Sequence, residues 1–309
     1  MVVDSFCELY KINVKLYKNP NAVLSLLYYH LEYKYTAGFS RNGETLKSYS
    51  FYQRKENIML QVGHLSKSYR TGDQVYPVLR DISLDVEKGE FVAVMGPSGS
   101  GKTTLLNCIS RFIPFDEGAV LLGGEDISAL NENDLAKVRN RKMGFVFQDF
   151  MLLDGLTVFE NICLPQIIDE RPIAQMESKA ENICRIFGID KIMQKYPAEI
   201  SGGEKQRTAV ARALMNHPLV ILADEPTGNL DSKSCRAVIE AFLKARDTMQ
   251  ATIFMVTHDS YAASFCDRVV VLKDGRINGI LENKGDRRLF MDELLNTIRI
   301  LGGDSNDNE

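Results

Sequence analysis

The chain has 309 residues, of which 45% are hydrophobic and 25% are charged, and its formal net charge is −4. This length and composition can bury a full α/β core with a smaller satellite unit, and the acidic balance argues against a basic nucleic-acid-binding surface. The six cysteines are scattered without a C-x-x-C pair, which excludes a disulfide or zinc framework. No run of 18 apolar residues occurs, so no membrane-spanning helix is predicted.

Residues 1–58 differ in composition from the rest of the chain. They hold eight of the twelve tyrosines, two of the 22 glycines and a net charge of +3, against −7 for the remainder. We expect this segment to come from a start codon assigned too early. The codons AGA-AAG-GAG, which can encode residues 54–56, resemble a bacterial ribosome-binding site ahead of Met59. The alternative is a genuine extension that is poorly ordered or binds a partner.

The folded domain is predicted over residues 59–290, followed by a tail at 291–309. Alternating residues predict two strands of an antiparallel β layer at 60–66 and 82–87, joined by a turn at 71–73. Residues 91–95 form a continuous apolar run that is typical of a buried strand.

A glycine-rich loop follows that strand and opens a predicted helix at 103–110. It has the pattern G-x-x-x-x-G-K-[ST], in which glycines let backbone N–H groups wrap a phosphate chain. Lys102 would reach the outer phosphates, Thr103 would offer its hydroxyl to Mg²⁺, and the helix would point its positive end at the anion. The spacing predicts a nucleoside triphosphate site formed by Gly96, Pro97, Ser98, Gly99, Ser100, Gly101, Lys102, Thr103 and Thr104.

The remaining elements predict a mostly parallel core with an insertion. A helical pattern between residues 149 and 196 predicts an inserted α-helical subdomain at 149–200. Strands alternate with helices on both sides of it, as in α/β proteins. The predicted strands are 118–122, 143–147, 219–223, 252–256 and 268–272, with a charged helix at 133–141 after the first.

A second anion site is predicted where Ser201, Gly202 and Gly203 begin a helix, because a helix start exposes unpaired N–H groups. One triphosphate cannot easily touch both sites within one molecule. Two copies placed head to tail could each complete the pocket of the other.

Residues 201–206 resemble the signature motif of the ATP-binding cassette (ABC) ATPases, with Ile200 and Glu204 where that family usually has Leu and Gln. The resemblance spans roughly residues 59–290. It implies a P-loop α/β core with an antiparallel β layer and an inserted helical subdomain. It also implies a head-to-tail homodimer with ATP and a separate integral-membrane permease, which would hold the chain at the cytoplasmic face of the membrane.

The resemblance implies roles for four polar residues at strand ends. Asp224 ends an apolar strand and would hold Mg²⁺, together with Thr103 and Gln148; its alternative is a helix cap. Glu225 would be the general base that orients the attacking water. His258 would be the switch histidine of the catalytic set, beside Glu225 and Lys102.

Two further residues have implied roles at the nucleotide. Tyr69 would stack on adenine, and its alternative is an ordinary surface tyrosine. Asp231 lies in a loop that would cross the dimer and couple the two sites.

The branch is indicated by residues 143–148 and 221–231, which look like ATPases of lipoprotein release, macrolide export, cell division and antimicrobial-peptide resistance. Residues 290–295 and 301–305 resemble bacitracin-type peptide-resistance ATPases, whose permease has a large extracellular domain. The alternative within the branch is a mechanical regulator of a lipoprotein-release or cell-division complex. A further alternative is a cassette of DNA repair or translation, which would need a basic face, long coiled-coil arms or two cassettes in one chain. The acidic balance and the single signature motif argue against it.

Several large apolar residues follow Gln148, at 150–156. We expect them to line a groove that takes a short helix of the permease. The alternative is that they are ordinary core.

Overall fold

The computed structural model describes residues 57–303, so the predictions for residues 1–56 and for the end of the tail lie outside the described part. Within it, ten strands form two sheets. The strands are β1 (Ile58–Thr71), β2 (Gln74–Glu87), β3 (Phe91–Met95), β4 (Glu117–Leu122), β5 (Glu125–Asp126), β6 (Met143–Phe147), β7 (Val220–Asp224), β8 (Ile253–Val256), β9 (Arg268–Lys273) and β10 (Arg276–Glu282).

The two sheets differ in strand direction. The smaller has the order β2-β1-β4-β5 and its pairs are antiparallel. The larger has the order β10-β9-β3-β8-β7-β6, in which only the β9–β10 pair is antiparallel. The carboxyl ends of β3, β6, β7 and β8 therefore meet at one edge, where ligands bind in open parallel sheets.

Eight α-helices lie between the strands or follow the last one in the described part. They are α1 (Lys102–Ile109), α2 (Glu132–Lys142), α3 (Val158–Ile168), α4 (Ile173–Phe187), α5 (Gly202–Leu214), α6 (Ser232–Met249), α7 (Ser260–Ala263) and α8 (Arg287–Gly303). None of these helices is both long and apolar enough to span a bilayer.

The central strand β3 shows where the core lies. Phe91, Ala93 and Met95 belong to a hydrophobic cluster that includes residues of α3 to α6. Val92 and Val94 belong to a second cluster, with α1 and the antiparallel sheet. All five side chains are fully buried, because both faces of a parallel sheet are covered. This explains why the strand is a continuous apolar run and not an alternating one.

The helical pattern predicted between residues 149 and 196 is confirmed as α3 and α4. Thr157 caps the start of α3 in a capping box, in which the Glu160 carboxylate accepts a hydrogen bond from the backbone N–H of Thr157. Gly188 ends α4 in the left-handed conformation, at φ 63°, which glycine adopts without steric cost. Local capping signals therefore mark the start of α3 and the end of α4.

The predicted lengths of β1 and β2 are wrong, since both strands continue to the turn at Gly72 and Asp73. Near that turn the cross-strand partners Tyr69 and Tyr76 are both exposed. The register also shifts several times along the pair. Alternating burial disappears where neither face is covered, so hydrophobic periodicity could not mark this part of the hairpin.

The C-terminal elements β10 and α8 were not predicted. The domain boundary predicted at residue 290 falls inside α8, whose Phe290, Leu294 and Leu301 are buried. The Asp286 carboxylate accepts hydrogen bonds from the N–H groups of Arg288 and Leu289 at 2.9 and 3.2 Å. The helix is thus capped at its start and packs its apolar stripe on the core.

Candidate nucleotide-binding site

The glycine-rich loop lies between β3 and α1, at the carboxyl edge of the parallel sheet. Gly101 directly precedes α1 with φ 102°, which an L side chain rarely adopts. A Cβ atom at Gly96 would lie 2.0 Å from the carbonyl oxygen of Leu272. The loop is therefore held close to the neighbouring strand, and the free N–H groups at the start of α1 face the same edge.

Lys102 closes this loop. Its ammonium donates hydrogen bonds to the carbonyl oxygens of Gly96 at 2.9 Å and Pro97 at 3.0 Å. Burial lowers the pKa of Lys102, and the charges of Glu225 and Asp224 oppose that shift. The cation is thus partly desolvated, faces two carboxylates, and would interact strongly with an anion in the loop.

Thr103 and Asp224 meet across the site. Asp224 ends β7, and its Oδ1 accepts a hydrogen bond of 3.3 Å from the Thr103 hydroxyl. Burial raises the pKa of the Asp224 carboxyl, and the adjacent charge of Glu225 raises it further. A partly buried carboxylate beside a hydroxyl is an oxygen donor set that fits Mg²⁺, which typically takes one or two protein ligands, substrate phosphates and water.

Glu225 and His258 lie side by side because β7 and β8 are parallel and Asp224 is opposite Val256. The Glu225 Oε2 atom is 2.9 Å from Nδ1 of His258 and accepts a hydrogen bond of 3.2 Å from its backbone N–H. Glu225 has φ 45°, a conformation that is rare for a residue other than glycine. The backbone strain and the paired side chains are features of a functional site.

Gln148 reaches the same edge from β6. Phe147 is opposite Asp224 in the parallel pairing, so Gln148 follows next to the position of Glu225. Its amide donates to Oδ1 of Asn229 at 2.9 Å, and Asn229 in turn donates to Asp149 at 2.9 Å. No hydrogen bond within residues 57–303 joins Gln148 to Thr103 or Asp224.

The predicted second anion site forms the start of α5. Ser201 is the residue before the helix, and its hydroxyl accepts a hydrogen bond from the N–H of Glu204. The Glu204 carboxylate in turn accepts from the backbone N–H and the hydroxyl of Ser201. A Cβ atom at Gly203 would lie 3.0 Å from the Ser234 hydroxyl, and one at Gly202 would lie 3.1 Å from Leu230. This start therefore packs on the segment that carries Asp231.

The other two predicted residues lie on separate elements. Asp231 caps α6 and accepts a hydrogen bond of 2.6 Å from the Ser234 hydroxyl. Tyr69 lies on β1 and is 43% exposed, with the Lys67 ammonium 5.3 Å from its ring centre. No hydrogen bond or ion pair in the described part joins Tyr69, Asp231 or the start of α5 to the glycine-rich loop.

Two residues that organise the site were missed as site residues. Gln206 is fully buried in α5 and donates to the carbonyl oxygens of Phe147 at 3.2 Å and Pro226 at 2.9 Å. It therefore ties the start of α5 to the ends of β6 and β7. A polar residue on the buried face of an amphipathic helix was the available signal.

Arg212 is the second missed residue. Its guanidinium donates to the carbonyl oxygens of Phe150, at 2.9 Å, and Met151, which have φ 61° and 49°. Burial lowers the pKa of Arg212 to about 10, which leaves it cationic at neutral pH. A partly buried cation thus stabilises two consecutive left-handed residues just after Gln148.

Known proteins resemble this chain in sequence. Residues 79–228 match the family described as ABC transporter. The ABC transporter ATP-binding protein YxdL of Bacillus subtilis is 45% identical over 81% of this chain and 96% of its own length. The bacitracin export ATP-binding protein BceA of Halalkalibacterium halodurans is 45% identical over 81% of this chain and 99% of its own length. The lipoprotein-releasing system ATP-binding protein LolD of Pseudomonas fluorescens is 40% identical over 73% of this chain and 99% of its own length.

Solved structures resemble it in fold. The dimeric post-hydrolysis state of the ATP-binding cassette MJ0796, bound to ADP and Pi, is 36% identical with a TM-score of 0.67, and the match covers 74% of this chain and all of that one. The predicted fold class, a P-loop cassette with an antiparallel β layer, is confirmed, and so is the resemblance inferred from residues 201–206. The chain belongs to the ABC transporter family.

Proposed function

We propose that this chain binds ATP with Mg²⁺ and hydrolyses it as the ATP-binding subunit of an ABC transporter. The observation that carries the proposal is the convergence of Lys102, Thr103, Asp224, Glu225 and His258 at one edge of the parallel sheet. A phosphate loop, a metal-binding carboxylate and a second carboxylate for water are the parts that phosphoryl transfer to water requires.

The loop residues and Lys102 would hold the phosphates through backbone N–H groups and one cation. Thr103 and Asp224 would hold Mg²⁺, with Gln148 reaching the ion or its water, and the ion would supply neutralising charge at the phosphate oxygens. Glu225 would accept a hydrogen bond from the attacking water and orient it. His258, already bonded to Glu225 through Nδ1, would keep that carboxylate in place and present Nε2 to the transferred group.

Purified protein is expected to release phosphate from ATP when Mg²⁺ is present and to stop when it is chelated. The Lys102→Ala variant should lose about 10²-fold or more of this activity, because removing one preorganised charge from the phosphates costs that much. Phosphate release that survives both treatments would contradict the proposal.

The start of α5 would act on the nucleotide of a second copy. In the described part of one chain, no hydrogen bond or ion pair joins Ser201, Gly202, Gly203 or Asp231 to the glycine-rich loop. The MJ0796 cassette is dimeric in its solved structures. A head-to-tail homodimer would bring each α5 start and the Asp231 loop to the phosphates of the opposite subunit, and Tyr69 would stack on adenine in its own subunit.

The chain would act at the cytoplasmic face of the membrane with a separate permease, one with a large extracellular domain. The relatives include a protein named for bacitracin export, which supports antimicrobial-peptide export or resistance as the process. The alternative is a lipoprotein-release or cell-division complex, and LolD relatives support the first of these. Identifying the membrane protein that co-purifies with the chain would decide between them.

The permease would dock beside Gln148. Phe112, Phe145 and Phe147 form a row of rings with centres 4.9 and 5.9 Å apart, and Phe112 is 47% exposed. Met151 and Leu153, which follow Gln148 in the chain, are also exposed, and we include them in the docking surface. Because this surface adjoins the residue that would contact Mg²⁺, nucleotide binding would move it and whatever is docked on it.

Leu153→Asp is expected to abolish co-purification of the permease and leave the chain folded. The buried Asn161 side chain holds the backbone of Leu153 by hydrogen bonds of 2.8 and 3.1 Å, while the Leu153 side chain stays half-exposed. The change should therefore cost about 1 kcal/mol of stability or less. Pull-down of the tagged chain from its own membranes measures the loss.

Leu289→Asp is the matched control, since Leu289 is exposed on α8, outside this apolar surface. If both variants retain the permease equally, the docking surface lies elsewhere. If Leu153→Asp unfolds, the segment is core.

Asp224→Asn is expected to make the nucleotide-free protein more stable at neutral pH. The folded-state pKa of Asp224 is raised, so the folded protein binds this proton more tightly than the unfolded chain. The free energy of unfolding therefore decreases as pH rises through the raised pKa of Asp224. At neutral pH the ionised carboxylate still destabilises the folded protein. The amide carries no charge, so the melting temperature should rise and its Mg-ATP-dependent increase should shrink.

The exposed turn residue Asp73 offers the control Asp73→Asn, which should change neither melting temperature. A less stable Asp224→Asn protein that responds normally to Mg-ATP would contradict the assignment.

A further inference from the structure

A cavity of about 350 Å³ lies outside the nucleotide-binding site, where the ends of α2, α3 and α5 meet the first half of α4. None of the residues assigned to the nucleotide lines it. Its basic side chains are Arg141, Arg171, Lys179 and His217, and its acidic one is Asp169. We call this cavity the basic recess.

The walls of the basic recess are held by amide side chains. Gln166 donates to the carbonyl oxygen of Met215 at 3.0 Å, and Asn216 donates to the carbonyl oxygens of Asn140 at 2.8 Å and Pro165 at 3.2 Å. These bonds join the segments that carry the basic side chains. The recess is therefore preformed, as small-ligand sites usually are.

The charges in the recess do not balance. Asp169, whose side chain is 5% exposed, accepts from Nε of Arg141 at 2.6 Å and from Nε of Arg171 at 2.7 Å. One carboxylate thus orients two guanidinium groups through their Nε atoms. Lys179 has no ion-pair partner among residues 57–303. Three cations against one anion leave a charge of +2 with His217 neutral.

The pKa values of Lys179 and His217 reflect the same excess of positive charge. Burial and the charge of Arg171 lower the pKa of Lys179, and burial and the charge of Lys179 lower the pKa of His217. Like charges crowded in a partly dry cavity destabilise the folded chain unless an anion joins them. An anion in the recess would relieve this repulsion.

His217 has a left-handed backbone conformation that glycine would adopt with less strain. It follows the end of α5 with φ 51°, and its N–H donates to the carbonyl oxygen of Leu214 at 3.0 Å. Glycine is common where a helix ends in this conformation. An imidazole there places a side chain in the recess at a backbone cost, which points to a role for the ring.

We propose that the basic recess binds a phosphate group, carried either by a phospholipid headgroup or by a small soluble phosphate compound. Two guanidinium groups fixed by one carboxylate match the planar, forked geometry with which arginine binds phosphate. The volume accommodates a headgroup or a short phosphate chain, whereas a flat protein surface could not enter it. The two sources share this chemistry and differ in how the phosphate is delivered.

The first experiment is calorimetric titration of the full chain with inorganic pyrophosphate. The glycine-rich loop can also bind this probe, so two binding events are expected in the wild type. Lys102→Ala should remove the event at the loop. Lys179→Gln should weaken the other event by about tenfold or more, because a hydrogen bond to a charged group is lost. It should stay folded, since it breaks no ion pair in the described part.

The second experiment separates the sources by flotation with phosphatidylcholine vesicles, with and without phosphatidylglycerol. The matched control is Lys191→Gln, which removes the same charge from an exposed lysine outside the recess. Flotation that requires phosphatidylglycerol and Lys179 assigns the lipid. Lys179-dependent pyrophosphate binding without flotation assigns the soluble compound. The proposal is overturned if neither probe binds the recess, or if Lys179→Gln and Lys191→Gln behave alike.

Discussion

Glu225→Gln is expected to retain ATP binding and to lose about 10³-fold in turnover, the range that a general base contributes. The amide can still accept the hydrogen bonds that Glu225 receives from the ring and backbone N–H of His258. The local structure should therefore survive. The amide cannot take a proton or orient water as a carboxylate does. Phosphate release and nucleotide binding, measured on the same preparation, separate the two effects.

The same variant should become a stable dimer in saturating Mg-ATP, because blocked hydrolysis leaves the nucleotide between two copies. Light scattering measures this mass change. Glu240→Gln is the control, since Glu240 pairs with Arg236 on the exposed face of α6. Wild-type turnover in Glu225→Gln would contradict the role assigned to Glu225. A monomer at saturating nucleotide would contradict the composite site.

Covalently linked dimers of defined composition are expected to show that Lys102 and Ser201 act on different nucleotides. With Lys102→Ala in one subunit and Ser201→Arg in the other, one site carries both lesions and one carries neither. Activity of up to about half the wild type should remain if the sites work independently. With both lesions in the same subunit, each site carries one lesion, and activity should disappear.

The reverse result would contradict the head-to-tail arrangement, because a site built within one subunit predicts activity only when both lesions share a subunit. Strict coupling between sites would silence turnover in both linked dimers, so trapped nucleotide must be measured as well. Ser201→Arg also removes the cap of α5, which costs about 1 kcal/mol. Circular dichroism of each single variant checks that the fold persists.

Local sequence determined the parts of this protein that depend on short-range chemistry. The glycine-rich loop after residues 91–95 was recognisable because a phosphate-binding backbone needs glycine and lysine at fixed spacings. Inserted helices were predicted from their apolar period. The positions of Asp224 and Glu225 followed from the end of an apolar run. The roles of these residues stay predictions, although the structure places them at one edge.

Tertiary structure decided what depends on distant partners. Gln206 donates to the carbonyl oxygen of Phe147, 59 residues away in the chain. Arg212 donates to the carbonyl oxygen of Phe150, 62 residues away. No periodic pattern encodes that pairing.

The same holds for α8, whose apolar stripe makes sense only against the core, and for the basic recess, which collects residues from four helices and their ends. Burial, unlike backbone conformation, is a property of the assembled chain, because it depends on which distant surfaces exclude water together.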